Sequence, residues 1–131
     1  MDPRMATDMK KIIDDVETSS SQSQAWNMFD TNEDTCWFSG HGSPQSIDIY
    51  LKQAMHVQRA RISFQKGFHC TKGRGYVVSN EASGHAEMEF HNGGGTGYLG
   101  INGRGDHIRI VLESSADMYG RYCIYGITFD F

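Results

Sequence analysis

Proline is nearly absent from this chain, with two in 131 residues, and cysteine is scarce, with three. Cys36, Cys70 and Cys123 contain no Cys-x-x-Cys spacing, so neither a zinc ribbon nor a dithiol redox motif can be assembled from them. An odd count also cannot close into a disulfide framework, and the expectation is reduced thiols in an intracellular compartment, used as small hydrophobes. Long apolar runs are missing too. The longest, Tyr122-Cys123-Ile124-Tyr125, is far short of the ~20 residues that cross a bilayer, so no membrane partner is expected. Positive charge is not in excess: Lys+Arg 12 against Asp+Glu 16 gives a net charge of -4. No sequence-wide field exists to hold a phosphate backbone, and nucleic acid is not an expected partner. Residues 1–11, with Asp2, Asp8 and Lys10, lack the apolar core of a secretory signal, which agrees with a cytoplasmic or nuclear location.

Catalytic signatures are equally thin. No Gly-x-Ser-x-Gly elbow occurs, and Cys36 has no histidine beside it in sequence. The six histidines at 41, 56, 69, 85, 91 and 107 include no His-Glu-x-x-His motif and no i, i+4 pair. His85-Ala86-Glu87 matches half of a zinc deaminase signature whose Pro-Cys-x-x-Cys half is absent. The run from Asn92 to Gly100 lacks the Gly-Lys-Ser/Thr ending of a phosphate loop and reads as a hairpin loop or a bulge. Arg104-Gly105-Asp106 reads as turn composition rather than as an adhesion tripeptide. Together these point away from an enzyme.

Glycine is abundant, at 15 residues, and with the many Tyr and Phe it favours an all-β domain with tight turns over a helical bundle. The length suits one domain. Met5, Met9, Ile12, Ile13 and Val16 recur at spacings of three and four, predicting a short N-terminal helix or arm, and the Ser/Gln stretch Thr18–Gln24 reads as a linker or surface loop. Residues 1–24 are therefore expected to form an arm and 25–131 the domain. From there the period is two: Ile47–Leu51, Ala60–Phe64, Ala86–Phe90, Ile108–Leu112 and Cys123–Phe131 predict strands. Shorter ones at Trp26–Phe29, Tyr76–Ser79 and Tyr98–Ile101 bring the expectation to about eight in a β-sandwich.

Asp30-Thr31-Asn32-Glu33-Asp34-Thr35 opens like a calcium loop, but positions six and twelve are Thr35 and His41, not the Gly and Glu of an EF-hand. A cation held in a non-helical site and simple Asx-turn chemistry both remain open for it, the second being the ordinary reading. Trp37, Phe38 and Phe68 stand close to His41, His69, Lys72 and Arg74, the aromatic and basic mixture of a recognition surface, with Trp37 readable as well as a core plug.

Several blocks carry a family resemblance: Phe29-Asp30, Thr35-Cys36-Trp37-Phe38-Ser39, Gln45 leading into Ile47-Asp48-Ile49, Val57, Ile62 through Phe68, and Asp117-Met118-Tyr119-Gly120-Arg121 with Ile124-Tyr125. Asp-x4-Thr-Cys-Trp and Tyr-Gly-Arg-x-x-Ile-Tyr, in this order, resemble the small nuclear-receptor-associated proteins. More broadly, they resemble the discoidin or coagulation-factor type C domains of the galactose-binding-like superfamily. The resemblance runs from Met28 to Phe129, with Thr71–Asp106 departing from it. It implies a jelly roll of eight antiparallel strands, and a structural calcium with Asp30, Asn32 and Thr35 as ligands. It also implies ligand contact by loops at one end, which here carry Trp37, Phe38, His41, Phe68, His69, Lys72 and Arg74. Arg121 matches a family arginine opening the last strand and is a further candidate for ligand contact, its ordinary reading being a structural salt bridge or a hydrogen bond to a carbonyl. The function so implied is an intracellular adaptor for a protein partner, a nuclear receptor or another intracellular complex, needing no cofactor. A carbohydrate-binding, lectin-like module and a subunit of a ciliary transport particle are the alternatives.

Overall fold

The computed structural model describes residues 9–79 and 85–131, and among them the chain forms ten strands in two sheets. They are β1 (Ile13–Thr18), β2 (Trp37–Phe38), β3 (Gln45–Val57), β4 (Arg59–Phe64), β5 (Cys70–Val77), β6 (Ala86–Glu87), β7 (Glu89–His91), β8 (Thr96–Leu99), β9 (Gly103–Ser115) and β10 (Cys123–Asp130). One sheet has the order β1-β3-β9-β5-β6 and the other β2-β10-β4-β8-β7, with the pairing antiparallel throughout. This is the expected all-β sandwich. Ile47, Ile49, Ile108, Ile110 and Leu112 from the first sheet meet Ala60, Ile62, Leu99, Ile127 and Phe129 from the second in one buried core. Alternate residues of these strands face outward and are mostly polar, which is the two-residue period that the sequence displays.

Three local expectations give way. Met9–Lys11 is a single 3-10 turn, and Ile13–Thr18 is an edge strand of the first sheet rather than helix. The reason is a bulge: Ile13 pairs with Leu51 but Asp15 with Tyr50, so one extra residue separates the inward-facing Ile13 and Val16 and their spacing of three imitates a helix. Met5, counted in that helical pattern, lies outside the described residues. Trp26–Phe29, expected as a strand, lies within a 3-10 helix over Gln22–Phe29, because Ala25, Met28 and Phe29 bury a face spaced by three and four. Ala86–Phe90, expected as one strand, is broken at the buried Met88 into β6 and β7, which belong to different sheets.

The Ser/Gln stretch is a clamp rather than a linker. The Ser19 and Ser20 hydroxyls both donate to Gln45 Oε1, and the Gln45 amide donates onward to the Gly42 carbonyl at 2.9 Å. Ser21 Oγ donates to the Phe38 carbonyl at 2.6 Å, and Gln24 Oε1 accepts from the Phe38 amide at 2.9 Å. Trp37, enclosed by this clamp, is 0% exposed, and its indole N–H donates to the Ser20 carbonyl at 3.0 Å. Every buried side-chain polar atom among the described residues has a partner, so the clamp offsets the desolvation of a polar segment folded against the core. Removing the indole would leave a large void and an unpaired carbonyl. Trp37→Ala is therefore expected to cost about 3–5 kcal/mol in urea denaturation, whereas a loss under about 1 kcal/mol would show that the indole does not hold this part of the core.

Candidate functional site

Three loops meet at one end of the sandwich. The segment Ser39–Pro44 leaves β2, the turn Gln65–His69 joins β4 to β5, and Ala116–Tyr122 joins β9 to β10. Tyr122 pins the first to the third: its amide donates to Ser39 Oγ at 2.8 Å, its carbonyl accepts from the Ser39 amide at 2.8 Å, and its hydroxyl donates to the Leu112 carbonyl at 3.0 Å. Gly120, at φ 70, lies so close to Gly42 that a Cβ would stand 2.9 Å from the Gly42 carbonyl carbon. Only glycine meets both demands there, the left-handed backbone and the contact.

At the centre of this rim is Arg121. Its Nε donates to Asp117 Oδ2 at 2.8 Å and its Nη2 to Asp117 Oδ1 at 3.2 Å, closing the loop on itself in the two-pronged geometry that suits guanidinium and carboxylate. The hydrogen bonds from Arg121 hold the Asp117 carboxyl below the usual carboxylate range and raise Arg121 in turn. Around the guanidinium lie three rings, with its carbon 5.9 Å from the Phe38 centroid, 5.2 Å from Phe68 and 5.3 Å from Tyr119. Phe38 and Phe68 contact each other at 5.0 Å, and His41 stacks on Tyr119 at 5.6 Å. The salt-bridging reading of Arg121 describes its geometry, to which the aromatic cage adds the cation–π contacts. At the tip of the same loop, Met118 is 87% exposed and Tyr119 56%.

The structure thus brings together Phe38, His41, Phe68 and Arg121 of the residues singled out from sequence, and it adds Met118 and Tyr119. Those two sit in the Asp-Met-Tyr-Gly-Arg block, where an apolar pair next to a turn glycine was the available signal. His69 stands beside the rim, its Nδ1 accepting from the Gly67 amide at 3.1 Å and its ring lying over Gly94. Trp37 is not on the rim, since its indole is sealed inside the core. Lys72 and Arg74 lie on β5 rather than on a loop, and Arg74 faces outward from the sheet, bonded to Glu113 Oε1 at 3.2 Å and His85 Nδ1 at 2.6 Å.

The Cys70 and Cys123 thiols are poor nucleophiles where they stand. Burial pushes Cys70 up to about 11, and burial together with the adjoining Cys36 sulfur pushes Cys123 up to about 12. All three cysteines are free. No helix among the described residues is long and apolar enough to cross a membrane.

The Asp30–Thr35 turn is closed by its own donors. Asp30 Oδ1 accepts from the Asn32 amide at 2.9 Å and Oδ2 from the Thr35 hydroxyl at 2.6 Å, while Asn32 Oδ1 accepts from the Asp34 amide at 2.9 Å. This is Asx-turn geometry. Calcium needs six to eight converging oxygens, and here the one inward carboxylate is met by hydrogen donors instead; no group of three His, Cys, Asp or Glu among the described residues is placed to hold a metal.

The comparisons bear on the fold and on the relatives. Two solved structures overlay closely. A family 32 carbohydrate-binding module from Clostridium perfringens in complex with galactose has a TM-score of 0.71 at 18% identity, over 88% of this chain and 91% of that one. A chitosan-binding module from Paenibacillus in complex with chitotriose has a TM-score of 0.71 at 20% identity, over 89% and 95%. The chain shares the jelly-roll β-sandwich fold of these modules. In sequence it is similar to the human nuclear receptor 2C2-associated protein, 26% identical over 104 residues, 77% of this chain and 75% of that protein. The zebrafish (Danio rerio) protein of the same name is 28% identical over 76% and 74%. No protein-family model matches the chain. The resemblance read from the Thr-Cys-Trp and Tyr-Gly-Arg blocks thus holds.

From the closed turn follows a direct expectation: the melting temperature in millimolar calcium and in excess chelator agrees within about 1 °C, since a ligand stabilises only the state that binds it. A calcium-dependent rise that Asp30→Ala abolishes would instead place a cation in the turn.

Proposed function

We propose that this jelly roll is a non-enzymatic, intracellular adaptor that docks a protein partner on its loop end, through Met118, Tyr119, His41, Phe38 and Phe68 around Arg121. The observation that carries it is the exposed Met118–Tyr119 tip beside an aromatic and guanidinium cluster. Large apolar side chains cost free energy when left in water, and aromatic and arginine anchors in a pre-shaped setting are what dominate protein interfaces. Support comes also from the relatives, whose name links them to a nuclear receptor, and a receptor of that kind is the partner class we assign.

A sugar fits this rim less well, although the two structural neighbours hold saccharides. Stacking a sugar requires a free aromatic face. Phe38 and Phe68 are covered by each other and by Arg121, Tyr119 has His41 and Arg121 as neighbours, and Trp37 is buried. The test is capture from the source cell's lysate on the immobilised chain, washed with chelator, then galactose, then stripped. A protein retained until the strip by the wild type and depleted at least tenfold on Met118→Ala/Tyr119→Ala, with an unchanged melting temperature, is expected. Glycoproteins released by galactose, or undiminished capture by the folded variant, would overturn the adaptor reading.

A further inference from the structure

The outer face of the second sheet carries a cleft that the rim does not use. Arg61 of β4 pairs with Tyr98 of β8, and Tyr98 pairs with Glu89 of β7, so the three side chains stand in one row across adjacent strands. They project outward, because their neighbours Ala60, Ile62 and Leu99 are buried inward. Two strand spacings separate Arg61 from Glu89, about 10 Å. From the first sheet, Glu87 of β6 joins the same cleft, brought there by the crossing at Met88. Together with Arg59, His91 and Gly100 these residues line a cavity of about 510 Å³. Gly100 is open above, with nothing within 4 Å of where a Cβ would be.

The charges in the cleft are divided into one engaged and three unengaged. Arg59 is bound to Asp130 at 2.8 Å and lies over the Tyr98 ring at 5.5 Å. Arg61, Glu87 and Glu89 make no ion pair or side-chain hydrogen bond among the described residues. A cation therefore faces outward on one side of Tyr98 and two carboxylates on the other. Tyr98 itself offers no stacking platform, since Arg59 lies over it and His91 meets it edge-on at 4.9 Å. Recognition in this cleft must come from charge and hydrogen bonds rather than from ring stacking.

We infer that the cleft binds a peptide segment bearing a basic and an acidic side chain, the acidic group on Arg61 and the basic one between Glu87 and Glu89. A free α-amino acid, whose charges are adjacent, is too short for the row. Side chains two residues apart on an extended strand are ~7 Å apart at the backbone, and lysine and glutamate stems span the rest. The volume lies within the ~300–1,000 Å³ range of ligand sites and admits such a segment. This site is separate from the rim and does not depend on the adaptor reading.

The test is a titration of the 15N-labelled full chain with the capped tripeptide acetyl-Lys-Gly-Glu-amide, following backbone amide shifts. Shifts at Arg61, Glu89, Tyr98 and Gly100 that saturate at about 1–10 mM are expected. Arg61→Gln and Glu89→Gln, each retaining a dispersed folded spectrum, should weaken binding about fivefold. Met118→Ala/Tyr119→Ala should leave it unchanged. The inference is overturned by no shift up to about 20 mM, by shifts clustered at Phe38, His41 and Tyr119, or by equal binding of acetyl-Lys-Gly-Gln-amide, which would leave only a cation site.

Discussion

The enclosure of Trp37 is the constraint on which the loop end depends. The indole stands on a strand of only two residues, paired with β10 through Trp37–Ile124 and Phe38–Cys123. So short a pairing is marginal alone. What holds it is the segment Ser19–Gln24, which bonds the Trp37 indole and both backbone groups of Phe38, and which bonds Gln45 at the start of β3. A polar run thus acts as the lid of the core. Phe38 enters the rim with both its backbone groups hydrogen-bonded, and the Arg121 guanidinium lies against its ring.

The rim is built to the same plan from the other side. Tyr122 is buried, yet its backbone and hydroxyl tie Ser39 and Leu112 to the loop that ends in Arg121. Arg121 then closes that loop through Asp117. Surface ion pairs contribute little by themselves. Here the pair's effect is geometric: it sets the turn whose tip is Met118 and Tyr119. A turn whose backbone is already closed has less ordering entropy to lose when its tip makes a contact.

How much of this was legible in the sequence depends on where the two-residue period survives. It survives in β4 and in the stretches Ile47–Leu51 and Ile108–Leu112, which are the legible parts of the longer β3 and β9. It fails at bulges. In β1 one extra residue gave the inward positions a helical spacing. In β10 the register shifts between Ile124 and Gly126, so Tyr125, expected in the inward series with Cys123 and Ile127, turns outward. Most of β5 was invisible for another reason. Its inward positions, Gly73 and Gly75, are glycines facing Met88 and Leu99; at Gly75 a Cβ would come within 2.8 Å of Leu99 Cδ1. A close approach of the two sheets removes the apolar signal that would have marked the strand. The rim was legible as composition, aromatic and basic, but not as geometry. Lys72 and Arg74 follow Phe68 closely in sequence and still fall on a strand face, because β5 begins at Cys70.

One scaffold can serve different chemistry at the same end, and the side chains decide which. A saccharide needs a ring face turned to solvent with donors and acceptors around it. In this chain the loop-end rings turn towards each other and towards Arg121, with His41 on Tyr119, so their faces are spent on internal order. What the end presents instead is the exposed thioether of Met118 and the phenol of Tyr119. The fold shared with sugar-binding modules does not by itself supply sugar chemistry. The cleft on the second sheet shows the complementary case, an aromatic ring already occupied and charges left to solvent. In both places the ring faces are taken up by neighbouring side chains of the chain itself, and what is left to solvent is charge at the cleft and the Met118 and Tyr119 side chains at the loop end.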